Sequence, residues 1–320
     1  MTRKVVGVLG IIGCLLFAGC ASTSAPVDLV GVNSAQPVLP PSEAQGSAAV
    51  PPSKPNADCG NPVASLTPNP AGGPALNAIK KRGMLIAGVD ESTYLFGFRN
   101  PNTGVLEGFD IDIVHDIARA IFGDPNKVQF KVLTSAQRDD ALKNKTVDIV
   151  VRTMTITCAR KQFADFSGVY YNAQQRVLVS NVSNAHSLDD LGGKKVCATT
   201  GSTSLSTIAA NKSHPIPVGV TNWSDCLVML QQREVDAIST DDSILAGMHA
   251  QDPNNTKIVG PSLAAEPYGV AIPKGEQDLV RYVNSVLDSV RGGAWMASYN
   301  HWLSHWLGPI GGPPAPVYNG

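Results

Sequence analysis

Charge is scarce in this sequence. Lys, Arg, Asp and Glu make up 16% of its 320 residues, against about a quarter in ordinary domains. The two signs nearly cancel, to a net −1. Such a balance leaves no basic face for nucleic acid, which is therefore not an expected partner. Cys-x-x-Cys is absent, and so are Cys/His spacings suited to a metal. The six histidines (His115, His186, His214, His249, His301 and His305) are scattered. Only His301 and His305 would share a helical face, with no Cys or carboxylate beside them, so they read as surface residues and no metal or cofactor is expected. The apolar run from Val5 to Ala18, broken by glycines and Cys14, is too short to span a bilayer comfortably. Part of the charge deficit comes from a Pro/Ala/Ser/Asn-rich leader. Downstream of it there is enough apolar residue for a full core, in one large domain or two ordinary ones.

The N-terminus is informative. Arg3 and Lys4, the apolar run and small residues before Cys20 form a secretory signal over residues 1–19. Leu16-Phe17-Ala18-Gly19-Cys20 resembles a bacterial lipobox, with Phe17 where that pattern usually has Leu. The resemblance implies that Cys20 is lipidated and becomes the first residue of the mature protein. An ordinary cleaved signal without lipid is the other reading. Residues 20–78 then form a disordered tether, since their composition shows no periodicity. A tether behind a lipid suits a protein that must reach a partner in the membrane.

From residue 79 the pattern is strand, helix, strand, helix, strand. Met84–Val89 and Val128–Leu133 read as strands. Between them, Glu91 to Arg99 is a loop, and Asp110 caps a helix with Ile113, Val114, Ile117 and Ile121 on one face. Ser135 caps a short helix carrying Arg138, and Val147–Val151 is the third strand. The chain crosses to a second lobe around Tyr170 to Gln175. There, strands at Arg176–Ser180, Val196–Thr199 and Val235–Ser239 alternate with helices, one of them capped by Ser224. Tyr268–Ile272 crosses back, and two helices close the fold. The expected fold is α/β: two doubly wound lobes joined by two crossover strands. Lobe 1 comprises residues 79–171 and 269–308, lobe 2 residues 172–268, and 309–320 is an irregular tail. Four cysteines remain after Cys20, enough for two disulfides, and three pairings are possible. Cys197 with Cys226 is favoured because both fall in one lobe. Cys59 with Cys158 would then fasten the leader to the other.

The chemistry concentrates where strands end, which is where open α/β sheets bind ligands. Val147 to Arg160 runs from a buried strand into Thr153, Thr155 and Thr157. Thr157 is a good N-cap, and Arg160 then lies in a first helical turn, where a cation opposes the helix dipole. A guanidinium with hydroxyls and backbone N–H groups makes a carboxylate site. A plainer reading leaves the threonines satisfying strand ends and Arg160 on the surface. In the second lobe the Gly201-Ser202-Thr203 turn can present N–H groups to an anion. Asp241, just past a strand, can take an ammonium. Together these would read an α-amino-acid zwitterion held in the cleft between the lobes. Arg138 and Arg152 are surplus to one carboxylate. They either meet a second, side-chain carboxylate or form internal pairs with Asp139 or Asp148.

Four stretches now carry a resemblance: Gly108-Phe109-Asp110-Ile111-Asp112; Asp148 to Arg160; Gly193-Lys194-Lys195-Val196 with Gly201-Ser202-Thr203; and Asp236-Ala237 with Asp241. Each is loose, but in this order they are specific. Residues 82–307 look like the amino-acid-binding lipoproteins of bacterial ABC importers. These have the type II periplasmic binding-protein fold, and the similarity is greatest to the actinobacterial glutamate/glutamine-binding type. The resemblance implies that Thr155 and Arg160 hold the α-carboxylate, helped by the Thr153 backbone, and that Asp241 takes the α-amino group. It implies that Gly201, Ser202 and Thr203 close over the ligand and that an aromatic of the Tyr94 to Phe98 loop, Tyr94 or Phe96, packs on it. Thr134-Ser135-Ala136-Gln137-Arg138 and Arg152-Thr153-Met154 resemble aspartate/glutamate-binding members. Ser135, Arg138 and Arg152 therefore point to an acidic side chain, with glutamine and asparagine as weaker ligands. The implied partners are an ABC permease, or a membrane sensor if the protein signals, and the membrane itself through the lipid. The implied location is the outer face of the cell membrane. Some proteins of this fold are cyclohexadienyl dehydratases. They need an acid or base in the cleft, where the sequence offers no evident free His or Glu, so an enzyme is not expected.

Overall fold

A computed structural model describes residues 59–319. The signal segment, Cys20 and the first part of the expected tether lie outside the described residues. Strand β1 (Ser65–Leu66) leads to helix α1 (Pro74–Arg82). Strand β2 (Leu85–Val89) follows, then three short strands, β3 (Ser92–Thr93), β4 (Gly97–Arg99) and β5 (Leu106–Glu107). Next come α2 (Phe109–Phe122), β6 (Val128–Val132), α3 (Gln137–Lys143), β7 (Ile149–Val150) and the single turn α4 (Cys158–Lys161). The 17-residue strand β8 (Ala164–Ser180) leads into the second half. That half contains β9 (Lys195–Thr199), α5 (Thr203–Ala210), β10 (Ile216–Val220), α6 (Trp223–Gln231), β11 (Ala237–Asp241) and α7 (Asp242–Gln251). The 18-residue strand β12 (Thr256–Pro273) returns. Helices α8 (Gln277–Val290), α9 (Ala294–Trp302) and α10 (Ser304–Leu307) and the short β13 (Tyr318–Asn319) complete the chain.

The main sheet has eight strands in the order β10-β9-β11-β8-β12-β7-β2-β6. Each flank is parallel, as helical crossovers require: β6-β2-β7 at one end and β10-β9-β11 at the other. The two long strands run antiparallel to each other and carry the sheet from one half to the other. Their register shifts between Val259 and Ala264 and again around Gly269, and such bulges bend a strand. One core layer gathers Leu76, Phe109, Ile113, Ile117, Tyr268 and Trp295. A smaller one on the first half's other side holds Leu133, Val150, Met154 and Phe166. The second half has its own, around Val177, Val196, Leu205, Cys226 and Ile238. Cys197 is bonded to Cys226 within that core, and Cys59 to Cys158 at the start of α4.

Several expectations need correction. The tether does not extend to residue 78. From Cys59 onward the chain is ordered, because the disulfide fastens it and Leu76 and Ile79 of α1 are buried. Pro74 starts that helix rather than breaking it, since its fixed φ suits a first helical position. The tail is not wholly irregular either, as β13 pairs in parallel with β1. The loop Glu91 to Arg99 contains β3 and β4 of a small antiparallel sheet. Helix α2 starts at Phe109 with Gly108 as its N-cap, so Asp110 lies inside the helix. Helix α6 starts at Trp223, behind a capping box of Asn222 and Asp225, so Ser224 does not cap it. Ala136, not Ser135, precedes α3 at the capping position.

Candidate functional site

The site begins with a strained turn after β7. Thr153 has φ 42°, unusual for a branched side chain. Its N–H donates to Asp110 Oδ2 at 2.9 Å, and Tyr170 Oη donates to the other oxygen at 2.8 Å. Asp110 therefore clamps the turn from inside α2. Burial pushes its carboxyl up to about 7, against these two hydrogen bonds. The clamped turn delivers Thr155 and then α4. Thr157 caps α4 by accepting from the Arg160 N–H at 3.2 Å. Arg160 Nη1 donates to the Thr155 carbonyl at 2.7 Å.

Around this turn Ser135, Arg138, Thr153, Thr155 and Arg160 from the first half face Ser202, Thr203, Ser204, Trp223, Asp241 and Ile244 from the second. They bound a space of about 220 Å³, partly open to solvent, with room for about one water. The halves are drawn tightly together. Ser135 Oγ and Thr199 Oγ1 lie 3.0 Å apart across the gap. The Gly201 carbonyl accepts from both Arg138 and Arg160 at 3.4 Å.

The charges in the cavity are arranged by sign. Arg138 and Arg160 are buried, and every acceptor they have is a backbone carbonyl. Neither is ion-paired among the described residues. Burial opposes the charge on both, and the nearby Arg160 and Arg152 oppose that on Arg138 as well. Opposite them, Asp241 Oδ2 accepts from Tyr268 Oη at 2.5 Å, while Oδ1 is buried without a partner. Asp241 is the N-cap residue of α7, yet its side chain makes no cap bond. Burial and then the charge of Glu266 hold its carboxyl well above the ordinary carboxylate range. A cation against Oδ1 would reverse that shift.

Glu266, on β12, is the residue a reading of the sequence overlooks most clearly. It is buried, and one of its oxygens accepts from Thr155 Oγ1 and, at 2.9 Å, from Thr203 Oγ1. A carboxylate of the chain itself thus joins the hydroxyls of the two halves. The sequence offers no evident free Glu in the cleft, and Glu266, which stands beside it, is tied to these two hydroxyls. Burial raises its carboxyl, and the two hydroxyls and Arg160 offset this in part. Its signal in the sequence is a single acidic residue between Leu263 and Ile272 of the crossing strand. Ser204, Ile244 and Trp223 are the other additions.

Four expected residues are not in the cavity wall. Arg152 is fully buried inside the first half. It ion-pairs with Asp90 at 2.8 Å and donates to Ser135 Oγ and the Leu133 carbonyl. It therefore faces neither the cavity nor the Asp139 and Asp148 named as possible partners. Asp148 instead pairs with Arg82. Phe96 lies in the core, edge-on to Phe109 and Tyr171. Tyr94 packs on Phe98, and its carbonyl lies against Gly247 of α7. Gly201 reaches Arg138 and Arg160 through its carbonyl.

Comparison with known proteins gives a consistent answer. The profile of the bacterial extracellular solute-binding proteins, family 3, matches residues 85–305. The ABC transporter glutamine-binding protein GlnH of Bacillus subtilis is 40% identical over 230 residues, covering 71% of this chain and 84% of that protein. The glutamate/glutamine/aspartate/asparagine-binding protein BztA of Rhodobacter capsulatus is 32% identical, over 69% of this chain and 68% of its own. A crystal structure of the P235GK mutant of ArgBP from T. maritima superposes with a TM-score of 0.68 at 29% identity. It covers 72% of this chain and all of that one.

Proposed function

The chain belongs to family 3 of the bacterial extracellular solute-binding proteins, and from that membership we propose that it captures an α-amino acid and delivers it to an ABC permease. The observation that carries this reading is the separation of charge across the cavity. Two guanidiniums without a carboxylate partner stand on one side, and a buried carboxylate oxygen without any partner on the other. An α-carboxylate on Arg160 and an α-ammonium on Asp241 Oδ1 would satisfy both walls. Thr153, Thr155, Ser202 and Thr203 line the space between the two walls, and the Thr153 N–H, expected to help hold the carboxylate, is committed to Asp110 instead. The second guanidinium, on Arg138, favours an acidic side chain, so aspartate or glutamate binds best and the amides less well. Arg152 has no part in this, being committed to Asp90.

The tight fit supports a closing mechanism. With room for about one water, the cavity admits a ligand only when the halves part. In this reading lobe 1 (79–171 and 269–308) and lobe 2 (172–268) swing on β8 and β12, and ligand stabilises the closed form that the permease recognises. Several charge-assisted bonds, less the cost of ordering, give an affinity near micromolar, about 8 kcal/mol. Export and a lipid on Cys20 would keep the protein beside its permease. The test is calorimetric titration of the chain from Ser22 onward, freed of co-purified ligand, against the twenty amino acids. Tight binding of aspartate or glutamate with weaker amides is expected. Binding of none refutes the proposal.

A further inference from the structure

Trp223 is the first residue of α6 and lines the cavity, yet it is only 3% exposed. Its indole N–H is buried and has no acceptor in the protein. Buried indole N–H groups normally find one, and leaving such a donor unsatisfied is costly. Two other tryptophans in the fold, Trp295 and Trp302, illustrate the rule. Trp295 Nε1 donates to the Tyr170 carbonyl at 2.8 Å and Trp302 Nε1 to Asp112 at 2.8 Å.

The rest of the cavity wall narrows what the free donor is for. The hydroxyls of Thr155 and Thr203 donate to Glu266 and that of Ser202 to the Thr199 carbonyl, Ser204 pairs with Thr240, and Ser135 accepts from Arg152 and Thr199. The side-chain N–H donors left over are those of Arg160, Arg138 and Trp223. If the α-carboxylate takes Arg160 and the α-ammonium takes Asp241, the other two remain for the ligand's side chain. The two differ in kind. A guanidinium distinguishes a carboxylate from an amide by charge. A neutral N–H accepts either one, but rejects a side chain that has no oxygen to offer.

We propose that the indole N–H of Trp223 hydrogen-bonds the side-chain oxygen of the bound amino acid, so that Trp223 selects acids and amides together against apolar side chains while Arg138 distinguishes acid from amide. This deepens the amino-acid reading and rests on it. It also gives an acidic-or-amide spectrum a cause within this chain.

The test uses the purified protein and its Trp223→Phe variant, which keeps an aromatic ring and removes the donor. Affinities are measured for aspartate, asparagine, glutamate and glutamine. 2-Aminobutyrate and norvaline serve as ligands of similar length without a side-chain oxygen. The expected result is a loss of about 10- to 100-fold for the best oxygen-bearing ligand, with the apolar ligands within about twofold of wild type. A second readout needs no variant. In ¹⁵N-labelled wild type, the indole resonance absent from the spectrum of the variant should move downfield when aspartate or glutamate is added. Equal losses for both ligand classes, or an indole resonance that stays in place, overturn the role of Trp223 and leave amino-acid binding standing. Failure of the wild type to bind any amino acid removes both proposals.

Discussion

Gly201 lies so near Ala136 that a single methyl group tests the proposed closing mechanism. Gly201 has φ 81°, and a Cβ there would lie 2.8 Å from Ala136 Cα and 3.0 Å from its nitrogen. Both are backbone atoms on the opposite half, so no side chain can rotate away. Gly201→Ala therefore has two costs. Left-handed strain of about 1–2 kcal/mol burdens every conformation in which the turn keeps its shape. Overpacking of about 1–3 kcal/mol arises only when the halves meet. Only the second cost weakens binding, by about 5- to 150-fold. Gly193→Ala is the matched control. Its φ is 69° and nothing lies within 4 Å of the added methyl, so it suffers strain alone. Calorimetry should give wild-type affinity for Gly193→Ala and the predicted loss for Gly201→Ala, while both lower the melting temperature. Small-angle scattering with saturating ligand should show Gly201→Ala more expanded than wild type. A Gly201→Ala protein that binds with wild-type affinity and closes to wild-type dimensions would show that this approach of the halves plays no part in capture.

Three further outcomes are expected. Arg160→Ala should weaken every amino acid by at least about 100-fold, whereas Arg138→Gln should cost aspartate and glutamate about tenfold and the amides little; equal losses across all four in calorimetry would sink the side-chain role of Arg138. Asp110, raised from 3.8 to about 7, keeps its proton longer in the folded than in the unfolded chain. Its contribution is full below about pH 4 and is lost as pH rises through 7, on the order of 4 kcal/mol in all; urea unfolding of wild type and Asp110→Asn at pH 5 and 8 should show a steeper fall for wild type, and parallel slopes would refute this. Finally, binding of an acid should take up about one more proton than binding of its amide, measured by calorimetry in buffers of differing ionisation heat; equal uptake would rule out protonation of a site carboxylate on acid binding.

What could be read from the sequence was whatever is held by near neighbours. Thr157 and Arg160 were legible because a cap and its helix lie within four residues, and the structure shows that bond. The cysteine pairs followed once the lobes were drawn, and both are present. Of the two readings of Arg152 the internal pair is the one present, but its partner, Asp90, sits past the end of another strand, and only the order of the sheet brings the two together. Reading Ser224 as the cap leaves Trp223 outside the helix, although Asn222 and Asp225 carry a capping signal. The tether ran too far because Pro and Gly mark helix ends as readily as linkers, and composition does not separate the two uses at Gly73-Pro74. Glu266 had no local signal, since its meaning lies wholly in the two hydroxyls that reach it from opposite halves.

Those same residues decide how an acid could be preferred at all. Arg138 and Arg160 bring two positive charges to the site, and Asp241 and Glu266 bring two negative ones. Arg152 and Asp90 cancel each other nearby. An amide ligand, a zwitterion with a neutral side chain, leaves that balance at zero. An acidic ligand adds one negative charge to a buried space, where an uncompensated charge is expensive. Burial already holds Asp241 and Glu266 above the ordinary carboxylate range, and the charge of Glu266 adds to the effect on Asp241. A proton taken up by one of the two would offset the added charge. With that proton in place the site is one positive charge in excess, and the acid becomes the matching ligand. The ammonium favours the ionised form of Asp241, which leaves Glu266 as the carboxyl that carries the proton. On this account acid preference does not belong to Arg138 alone. It depends on a glutamate in the crossing strand giving up its charge, so the ratio of acid to amide affinity should fall as pH rises.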